Sequence, residues 1–310
     1  MNTKNRIFAF LTLAALILMP AHAAKKKNVV VEKDPAGAGI SIGVLTGSPD
    51  IEKLFQSLQE GKFTSCQLGY ASYMNQAYAD RLIAAQQKYG IRVTTVVICP
   101  GNYAWDFIKG PSTNGLVPVE GIEAKMDAYR QAIDFCQMAR IPAMHSHFGF
   151  IPEDPLSPDY RFFINNMREL AVYAKERGVD IYFETGQETP IALVRTIKDV
   201  GTGNLFINCD VANLILYGKA NPTDAVRLFG PLVKDLHIKD GTYPDREDPY
   251  HLGHEKPIPE GDVDFPAIIK ILKEEGYQGA LTIEYELGDQ TKDYMEKTRL
   301  YLQNLLDTKY

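Results

Sequence analysis

Residues 180–210 read DIYFETGQETPIALVRTIKDVGTGNLFINCD. The apolar runs IYF and LFIN stand near its two ends, and the longer amphipathic segment PIALVRTIKDV lies between them. This alternation is typical of a strand–helix–strand unit whose two strands are parallel neighbours in one sheet. The stretch therefore predicts one such unit, and each of its strands ends on a carboxylate, Glu184 or Asp210.

The same alternation continues in both directions from this unit. The eight predicted strands cover residues 39–45, 65–68, 92–98, 142–148, 180–184, 205–210, 234–239 and 280–286. The predicted helices cover residues 50–58, 75–89, 121–138, 159–177, 190–200, 222–229, 265–275 and 290–306. Eight strands, each followed by a helix, predict an α/β fold, a single-domain (β/α)8 TIM barrel over residues 38–310. An open doubly wound sheet is the alternative, but the turn after the first strand lacks the pattern G-x-G-x-x-G.

The N-terminal residues predict an export signal. Basic residues near the start precede an apolar run at 7–19 that is too short to span a bilayer, and AHA at 21–23 is a typical cleavage site. We expect residues 1–23 to be a signal peptide and residues 24–37 to be a linker. The mature protein is then secreted or periplasmic, with no stable membrane insertion after cleavage. An uncleaved N-terminal anchor is the alternative.

Charge and cysteine content narrow the class of partner. The net charge of −6 argues against nucleic acid, which usually selects a basic face. The four cysteines follow neither a zinc-ribbon spacing nor a dense disulfide framework, and we interpret them as small buried residues. Whether any disulfide forms is left open. A small molecule is therefore the expected partner, and the oligomeric state is left open, with a homo-oligomer among the expectations.

Four polar residues end or interrupt the last four predicted strands, and they are Glu184, Asp210, His237 and Glu284. Singly, each is typical of a structural ion pair. In a closed parallel barrel the four strand ends meet at the mouth where TIM-barrel chemistry takes place. Three carboxylates and one imidazole would repel one another there without a cation, and burying an unpaired carboxylate costs several kcal/mol. The set predicts one divalent metal, Mn²⁺ or Mg²⁺, with Co²⁺ or Zn²⁺ as alternatives.

Further residues at the same end of the barrel are candidates for contact with a substrate. His147 ends the fourth strand and is expected to donate to a substrate oxygen, although a structural histidine is the alternative. Two long loops follow the third and seventh predicted strands, at 100–120 with Trp105 and at 241–264 with Arg246. Loops of this length are typical of lids and binding segments. An aromatic ring such as Trp105 would pack on the C–H face of a sugar.

Together these motifs resemble the xylose-isomerase-like TIM barrels, the sugar phosphate isomerase/epimerase family of the AP endonuclease 2 superfamily. The resemblance covers about residues 38–305. It rests on HFGFIP at 147–152, FETGQET at 183–189, DVAN at 210–213, LHIKDG at 236–241, EGDVDF at 260–265 and LTIE at 281–284. The family includes ketose 3-epimerases, inosose dehydratases and hydroxypyruvate isomerases.

The resemblance implies a role for each matching residue. It makes Glu184, Asp210, His237 and Glu284 the ligands of one divalent metal, and it makes Glu184 and Glu284 the acid/base pair. Ketose 3-epimerases carry a substrate-binding histidine three residues after the metal-binding aspartate, where this chain has Asn213. That departure argues against simple ketose epimerisation. The candidate substrate-binding residues are His147, Glu188, Asn213, Asp240, Arg246 and Trp105.

These observations lead to one function hypothesis and its alternatives. We expect a metal-dependent isomerase or epimerase that abstracts a proton alpha to the carbonyl of a sugar or keto-sugar and passes through an enediolate. The expected export, together with Glu286 and Asp289 after the last strand, favours an unphosphorylated substrate. One alternative is a lyase or dehydratase that uses the same site on a keto-inositol or 3-keto-glycoside. A non-catalytic secreted sugar-binding protein is another. A nuclease is disfavoured by the content of only six histidines and by the acidic charge.

Overall fold

The computed structural model describes residues 39–288 and 292–308, so the predicted signal peptide and the whole of the predicted linker lie outside the described residues. Eight parallel strands close into a barrel. They are β1 (Ser41–Thr46), β2 (Ser65–Gly69), β3 (Arg92–Val97), β4 (Ala143–Ser146), β5 (Asp180–Glu184), β6 (Leu205–Asp210), β7 (Val233–Ile238) and β10 (Ala280–Ile283), while β8 (Asp240–Gly241) and β9 (Glu255–Lys256) form a separate antiparallel pair. The first strand pairs with both β2 and β10, which closes the ring. The predicted (β/α)8 TIM barrel is confirmed.

Helices connect the strands on the outside of the barrel. They are α1 (Ile51–Glu60), α2 (Gln76–Tyr89), α3 (Gly110–Thr113), α4 (Ile122–Ala139), α5 (Pro158–Glu176), α6 (Pro190–Val200), α7 (Val211–Leu216), α8 (Pro222–Phe229), α9 (Phe265–Glu274) and α10 (Lys292–Asp307), with a 3₁₀ turn at Gly230–Leu232. Most begin at a side chain that accepts a backbone N–H of the first turn, as Asp50, Asn75 and Ser157 do. Such caps satisfy the free donors of a helix start, so the local sequence specifies these boundaries.

All eight predicted strands are present, and β5 and β6 have the predicted bounds. The strands β4 and β10 are shorter than predicted at their carboxyl ends, because the chain leaves the sheet there and presents His147 and Glu284 at the mouth. The short elements that were not predicted are α3, α7, the 3₁₀ turn at Gly230–Leu232 and the strands β8 and β9. All residues of α7 are buried, so this helix lacks the amphipathic period that marks a helix in sequence.

The hydrophobic core lies between the sheet and the surrounding helices, and three of the four cysteines are buried in it as expected. The four cysteines carry no disulfide. Polar residues fill part of the barrel interior below the mouth. Asp235 accepts hydrogen bonds from the hydroxyls of Thr94 and Thr282, each at 2.7 Å, so this buried carboxylate has its own donors. Among the helices described, none combines the length and hydropathy needed to cross a bilayer.

Candidate metal centre and active site

The four predicted metal ligands converge at one end of the barrel. Glu184 and Asp210 are the last residues of β5 and β6, His237 lies in β7, and Glu284 follows β10. One ligand atom from each of the four lies within 4.8 Å of the others. Three of the side chains are fully buried, and Glu284 is only slightly exposed. The tertiary structure therefore brings together the four predicted metal ligands, although they span 100 residues of sequence.

The imidazole of His237 shows why this cluster suits a cation. Its Nε2 lies 2.7 Å from Oε1 of Gln67, whose amide nitrogen donates to Asn208 Oδ1 at 3.0 Å. An amide oxygen only accepts, so Nε2 carries the proton and Nδ1 of the neutral ring presents a lone pair. That Nδ1 lies 2.9 Å from a carboxylate oxygen of Glu184 and 2.9 Å from one of Glu284. Acceptors that face one another in this way need a cation, either a metal or an imidazolium proton.

The carboxylates give the same indication. Oδ2 of Asp210 is buried and has no hydrogen-bond partner among the described residues, and the buried Oε1 of Glu184 faces only the Nδ1 of His237, at 2.9 Å. A buried carboxylate oxygen without a donor is costly unless a cation compensates it. Carboxylate oxygens with one imidazole nitrogen form a donor set suited to a divalent ion. The residues present therefore fit a divalent metal held by Glu184, Asp210, His237 and Glu284.

Two residues that sequence reasoning missed orient these ligands. Asn208 donates to the second oxygen of Glu184, and Gln67 joins Asn208 to the ring of His237. The resulting chain fixes one carboxylate and one imidazole relative to each other, as the outer partners of metal ligands commonly do. A signal existed for Asn208, because alternate residues of a strand share a face and Asn208 precedes Asp210 by two positions. Gln67 offered only its polarity inside an apolar run.

Burial and neighbouring charges make the two glutamates unequal. Burial raises the pKa of Glu184. Burial would also raise the pKa of Glu284, but the charges of Lys239 and His237 hold it well below its usual range. Burial raises the pKa of Asp210 well above its usual range. For His237 the effect of burial is opposed by Glu184 and Glu284, which hold its pKa well above the usual value. The two candidate acid/base residues thus lie in different electrostatic surroundings.

A cavity of about 240 Å³ opens above this cluster. Its apolar lining residues include Leu45, Val97, Trp105, Leu216 and Leu252. Polar groups from His147, Asn213, Tyr217, Lys239 and Glu286 complete the lining. A pocket lined by both apolar and polar groups suits a small ligand that has both C–H and oxygen faces.

Trp105 and His147 stand together in this cavity. The indole is 51% exposed and meets the imidazole edge-on, with ring centroids 5.1 Å apart. Burial lowers the pKa of His147 to about 3, so the ring is neutral at ordinary pH. Its Nδ1 is buried and has no hydrogen-bond partner among the described residues. Both residues lie where the predicted substrate contacts require them.

Two other residues of the cavity were not predicted. Lys239 follows β7 and is 4% exposed; its Nζ lies 2.8 Å from Glu286 and 3.6 Å from Glu284. His145 lies in β4 with Nδ1 2.6 Å from the Thr95 hydroxyl, and its Nε2 is 3.5 Å from Glu184. Lys239 lies within the motif LHIKDG, and His145 lies two residues before the motif HFGFIP. The sequence pattern did not mark either side chain as part of the site.

Three predicted substrate-binding residues lie apart from the cavity lining. Glu188 is buried in the loop after β5, where burial raises its pKa to about 8. Asp240 accepts backbone N–H groups from Gly241, Gly261 and Val263 and so fastens the long loop after β7. Arg246 is 94% exposed and pairs with the neighbouring Glu247 at 3.1 Å. Their substrate-binding roles stay predictions.

The remaining substrate-binding candidate is Asn213. It lines the cavity, while its backbone N–H donates at 2.8 Å to Oδ1 of Asp210, the residue that caps α7. The structure therefore brings Trp105, His147 and Asn213 together with the four metal-ligand candidates.

Comparisons with known proteins agree with this geometry. The family model described as "Xylose isomerase-like TIM barrel" matches residues 55–305. A solved structure, a xylose isomerase domain protein from Planctomyces limnophilus, is 31% identical and covers 86% of this chain and 97% of its own, with a TM-score of 0.79. The structure of an L-ribulose 3-epimerase is 16% identical over 86% of this chain and 95% of its own, with a TM-score of 0.67, and shows the shared fold. A human protein provisionally named hydroxypyruvate isomerase is 25% identical over 241 residues, 72% of this chain and 80% of its own.

Proposed function

The chain belongs to the xylose isomerase-like TIM barrel family, and from that premise we propose that it is an isomerase or epimerase. It moves a proton at the carbon next to a carbonyl of an unphosphorylated sugar or keto-sugar. The observation that carries the proposal is the pair of carboxylates, Glu184 and Glu284, each with one oxygen 2.9 Å from Nδ1 of His237. A divalent cation, Mn²⁺ or Mg²⁺ with Co²⁺ or Zn²⁺ as alternatives, would be held by these three residues and Asp210 and would polarise the carbonyl.

The two glutamates divide the proton transfer. One carboxylate takes the proton from carbon, and the electron pair of the C–H bond moves to form the enediolate. The other carboxyl group gives a proton either to the opposite face of the same carbon or to the neighbouring carbon. In the second case the hydroxyl proton of the first carbon also moves to the former carbonyl oxygen. Lys239 stands 3.6 Å from Glu284 and is not paired with Glu184, so the two groups differ in their readiness to hold a proton. Such a difference is what a directional acid/base pair needs.

The charges around the cavity support an uncharged substrate. Three carboxylates, from Glu184, Glu284 and Glu286, line it, and Lys239 is the cationic side chain among the described lining residues. A fourth carboxylate, Asp210, lies next to the lining, with Oδ2 4.0 Å from Nζ of Lys239. Even with a divalent cation bound, these groups leave an excess of negative charge, which opposes a phosphate group. The cavity volume of about 240 Å³ lies at the small end for ligand pockets, which suits one sugar ring. The exposed face of Trp105 offers a surface for the C–H face of that ring.

A second candidate is a lyase or dehydratase acting on a keto-inositol or 3-keto-glycoside. Asn213 favours it, because this cavity residue stands where ketose 3-epimerases are expected to have a histidine. The first step is the same proton abstraction. The enolate then expels an oxygen substituent beta to the carbonyl instead of taking back a proton. Residues Glu184 and Glu284 would serve both outcomes.

Deuterium exchange tests the proposal. Protein loaded with Mn²⁺ is incubated in D₂O with a panel of keto-sugars and 3-keto-glycosides, and products are followed by NMR. We expect deuterium at a carbon next to the carbonyl for at least one substrate, together with an epimer or isomer; release of a leaving group would identify the lyase. Asp210→Asn serves as the metal-site control and should show neither. Tight sugar binding by the parent protein without any exchange would instead support a non-catalytic binding protein.

We also propose that the protein is exported, which rests on the sequence of residues 1–23 alone. Mass spectrometry of protein recovered from a periplasmic or culture fraction should find a mature chain that begins at Ala24. A chain that retains Met1 in the cytoplasmic fraction would refute export, and it would also remove one argument for an unphosphorylated substrate.

A further inference from the structure

Lys239 is a cation enclosed at the floor of the active-site cavity. Its side chain is 4% exposed, and it lines the cavity beside the metal-ligand cluster. The ammonium group has three N–H donors. Glu286 accepts one of them at 2.8 Å.

The other charges that face Lys239 do not use its remaining donors. The nearest oxygens of Glu284 and Asp210 lie at 3.6 Å and 4.0 Å, which is attractive for charge but longer than a normal N–H···O hydrogen bond. Among the described residues, Glu286 is the hydrogen-bond partner of the ammonium group. A buried ammonium that keeps donors beside a cavity is costly unless a ligand accepts them. The open donors adjoin the space where the proposed substrate carbonyl would lie.

Glu286, a more exposed residue of the same cavity lining, binds the ammonium group. Its carboxylate is 64% exposed, and its own backbone N–H donates to Oε1 of Glu255 at 2.9 Å. That bond ties the segment after β10 to the β9 strand of the long loop. Glu286 therefore limits the positions that the ammonium group adopts, and it uses only one of the three N–H donors.

We propose that Lys239 is a catalytic residue that donates a hydrogen bond to the substrate oxygen that gains negative charge when the alpha proton leaves. In this step the C–H bond breaks, the proton passes to a glutamate, and the electron pair moves onto the carbonyl oxygen. Lys239 keeps its own protons throughout and contributes charge and a directed donor. Donors fixed in a water-poor site stabilise such an oxyanion strongly. Glu286 is a positioning residue that acts through Lys239. The inference rests on the proposed proton abstraction.

The test compares Lys239→Met, which removes the ammonium, with Lys239→Arg, which retains a charged donor. Lys234→Met is the matched control, because Lys234 lies near the opposite end of the same strand and its Nζ sits over the Phe206 ring. Each variant is saturated with Mn²⁺, shown by metal analysis to hold one ion, and assayed for kcat, KM and deuterium exchange. We expect Lys239→Met to lower the exchange rate and kcat by about 10²–10³-fold. Lys239→Arg should recover part of the loss, and Lys234→Met should match the parent.

A threefold loss of exchange rate is well short of the loss expected when an oxyanion donor is removed. If metal-saturated Lys239→Met exchanges deuterium within about threefold of the parent rate, the inference is overturned and Lys239 only balances charge. Binding provides a readout that does not need turnover. A sugar hydroxamate, which mimics the charged enediolate, should lose affinity in Lys239→Met by a larger factor than a neutral keto-sugar does. Equal losses would refute the contact. If the parent protein exchanges no deuterium, the proposed function fails and the inference fails with it, whereas exchange by the parent with an undiminished rate in Lys239→Met overturns the inference alone.

A double-mutant cycle tests the part assigned to Glu286. Glu286→Gln should lower kcat with little effect on KM in the parent background, and it should have no further effect in the Lys239→Met background. A merely structural role would give the same loss in both backgrounds, and that result would remove Glu286 from the proposal.

Discussion

Asp210 offers the sharpest separation between metal binding and folding, because its two oxygens do different things. Oδ2 faces the metal-ligand cluster and has no donor among the described residues, while Oδ1 accepts the backbone N–H of Asn213 at 2.8 Å and caps α7. Asp210→Asn keeps a capping oxygen and the side-chain shape but removes the charge. Asp210→Ala removes both the charge and the cap. The two variants therefore share the loss of metal and differ in the cap.

These contacts determine the changes in Tm that we expect for the two variants. A metal present at 100 times its Kd stabilises the folded state by about 2.7 kcal/mol, which for a domain of this size is a rise in Tm of roughly 5–10 °C. Asp210→Asn should lose this rise. Asp210→Ala should lose it as well and melt lower than Asp210→Asn by a further 2–4 °C or about 1 kcal/mol, the usual contribution of a helix cap.

Without metal, the effect of Asp210→Asn on stability should have the opposite sign. Burial raises the folded pKa of Asp210 above that of the unfolded chain, so the ionised carboxylate weakens the folded state. This contribution is favourable below the unfolded pKa of about 3.9 and is lost as the pH rises above it. At neutral pH in a chelator, Asp210→Asn should therefore be at least as stable as the parent.

Thermal melts with a chelator and with added Mn²⁺, together with metal analysis, measure the rise in Tm on metal binding, the effect of the helix cap and the stability of the metal-free protein. The reasoning fails if Asp210→Asn keeps the parental rise in Tm and one bound ion. It also fails if the parent shows no response to Mn²⁺, Mg²⁺, Co²⁺ or Zn²⁺. A chelated Asp210→Asn protein much less stable than the parent would contradict the assigned effect of burial.

Three further outcomes are expected. Of Glu184→Gln and Glu284→Gln, one should still exchange the substrate proton with D₂O and the other should not. Neither should exceed a trace of parental turnover, since acid/base groups contribute about 10²–10⁴-fold to the rate. Near-normal turnover by both variants with metal bound would refute the proton-transfer mechanism. Trp105→Ala should raise KM, and substrate should change the Trp105 fluorescence of the parent; no change in either would exclude the contact. Because burial lowers the folded pKa of His147 to about 3, its stability contribution is lost as the pH falls below the unfolded value, and His147→Asn should recover about 2 kcal/mol of the stability lost between pH 8 and pH 5 in urea titrations. An unchanged pH dependence would contradict that effect.

The fold and the set of candidate metal ligands were accessible from sequence because their signals are local. Apolar period, helix caps and the polar residue at the end of each strand all lie within short segments, and the closed parallel barrel then places the strand ends together. This was enough to identify Glu184, Asp210, His237 and Glu284 as one set. It was not enough to bound β4 and β10 or to find α7, because tertiary packing rather than local pattern decides where a buried segment leaves the sheet.

Only the tertiary structure decided how the ligands are oriented and which other groups face the cavity. Gln67 bonds a ring that is 170 residues away in sequence and an amide that is 141 residues away, so no local pattern marks it. Lys239 and Asp240 are neighbours in one motif, yet the first faces the carboxylate cluster and the second fastens backbone N–H groups of a loop. Arg246 extends from the loop into solvent. The direction of a side chain depends on contacts made across the barrel, and these exist only once all eight strands are in place.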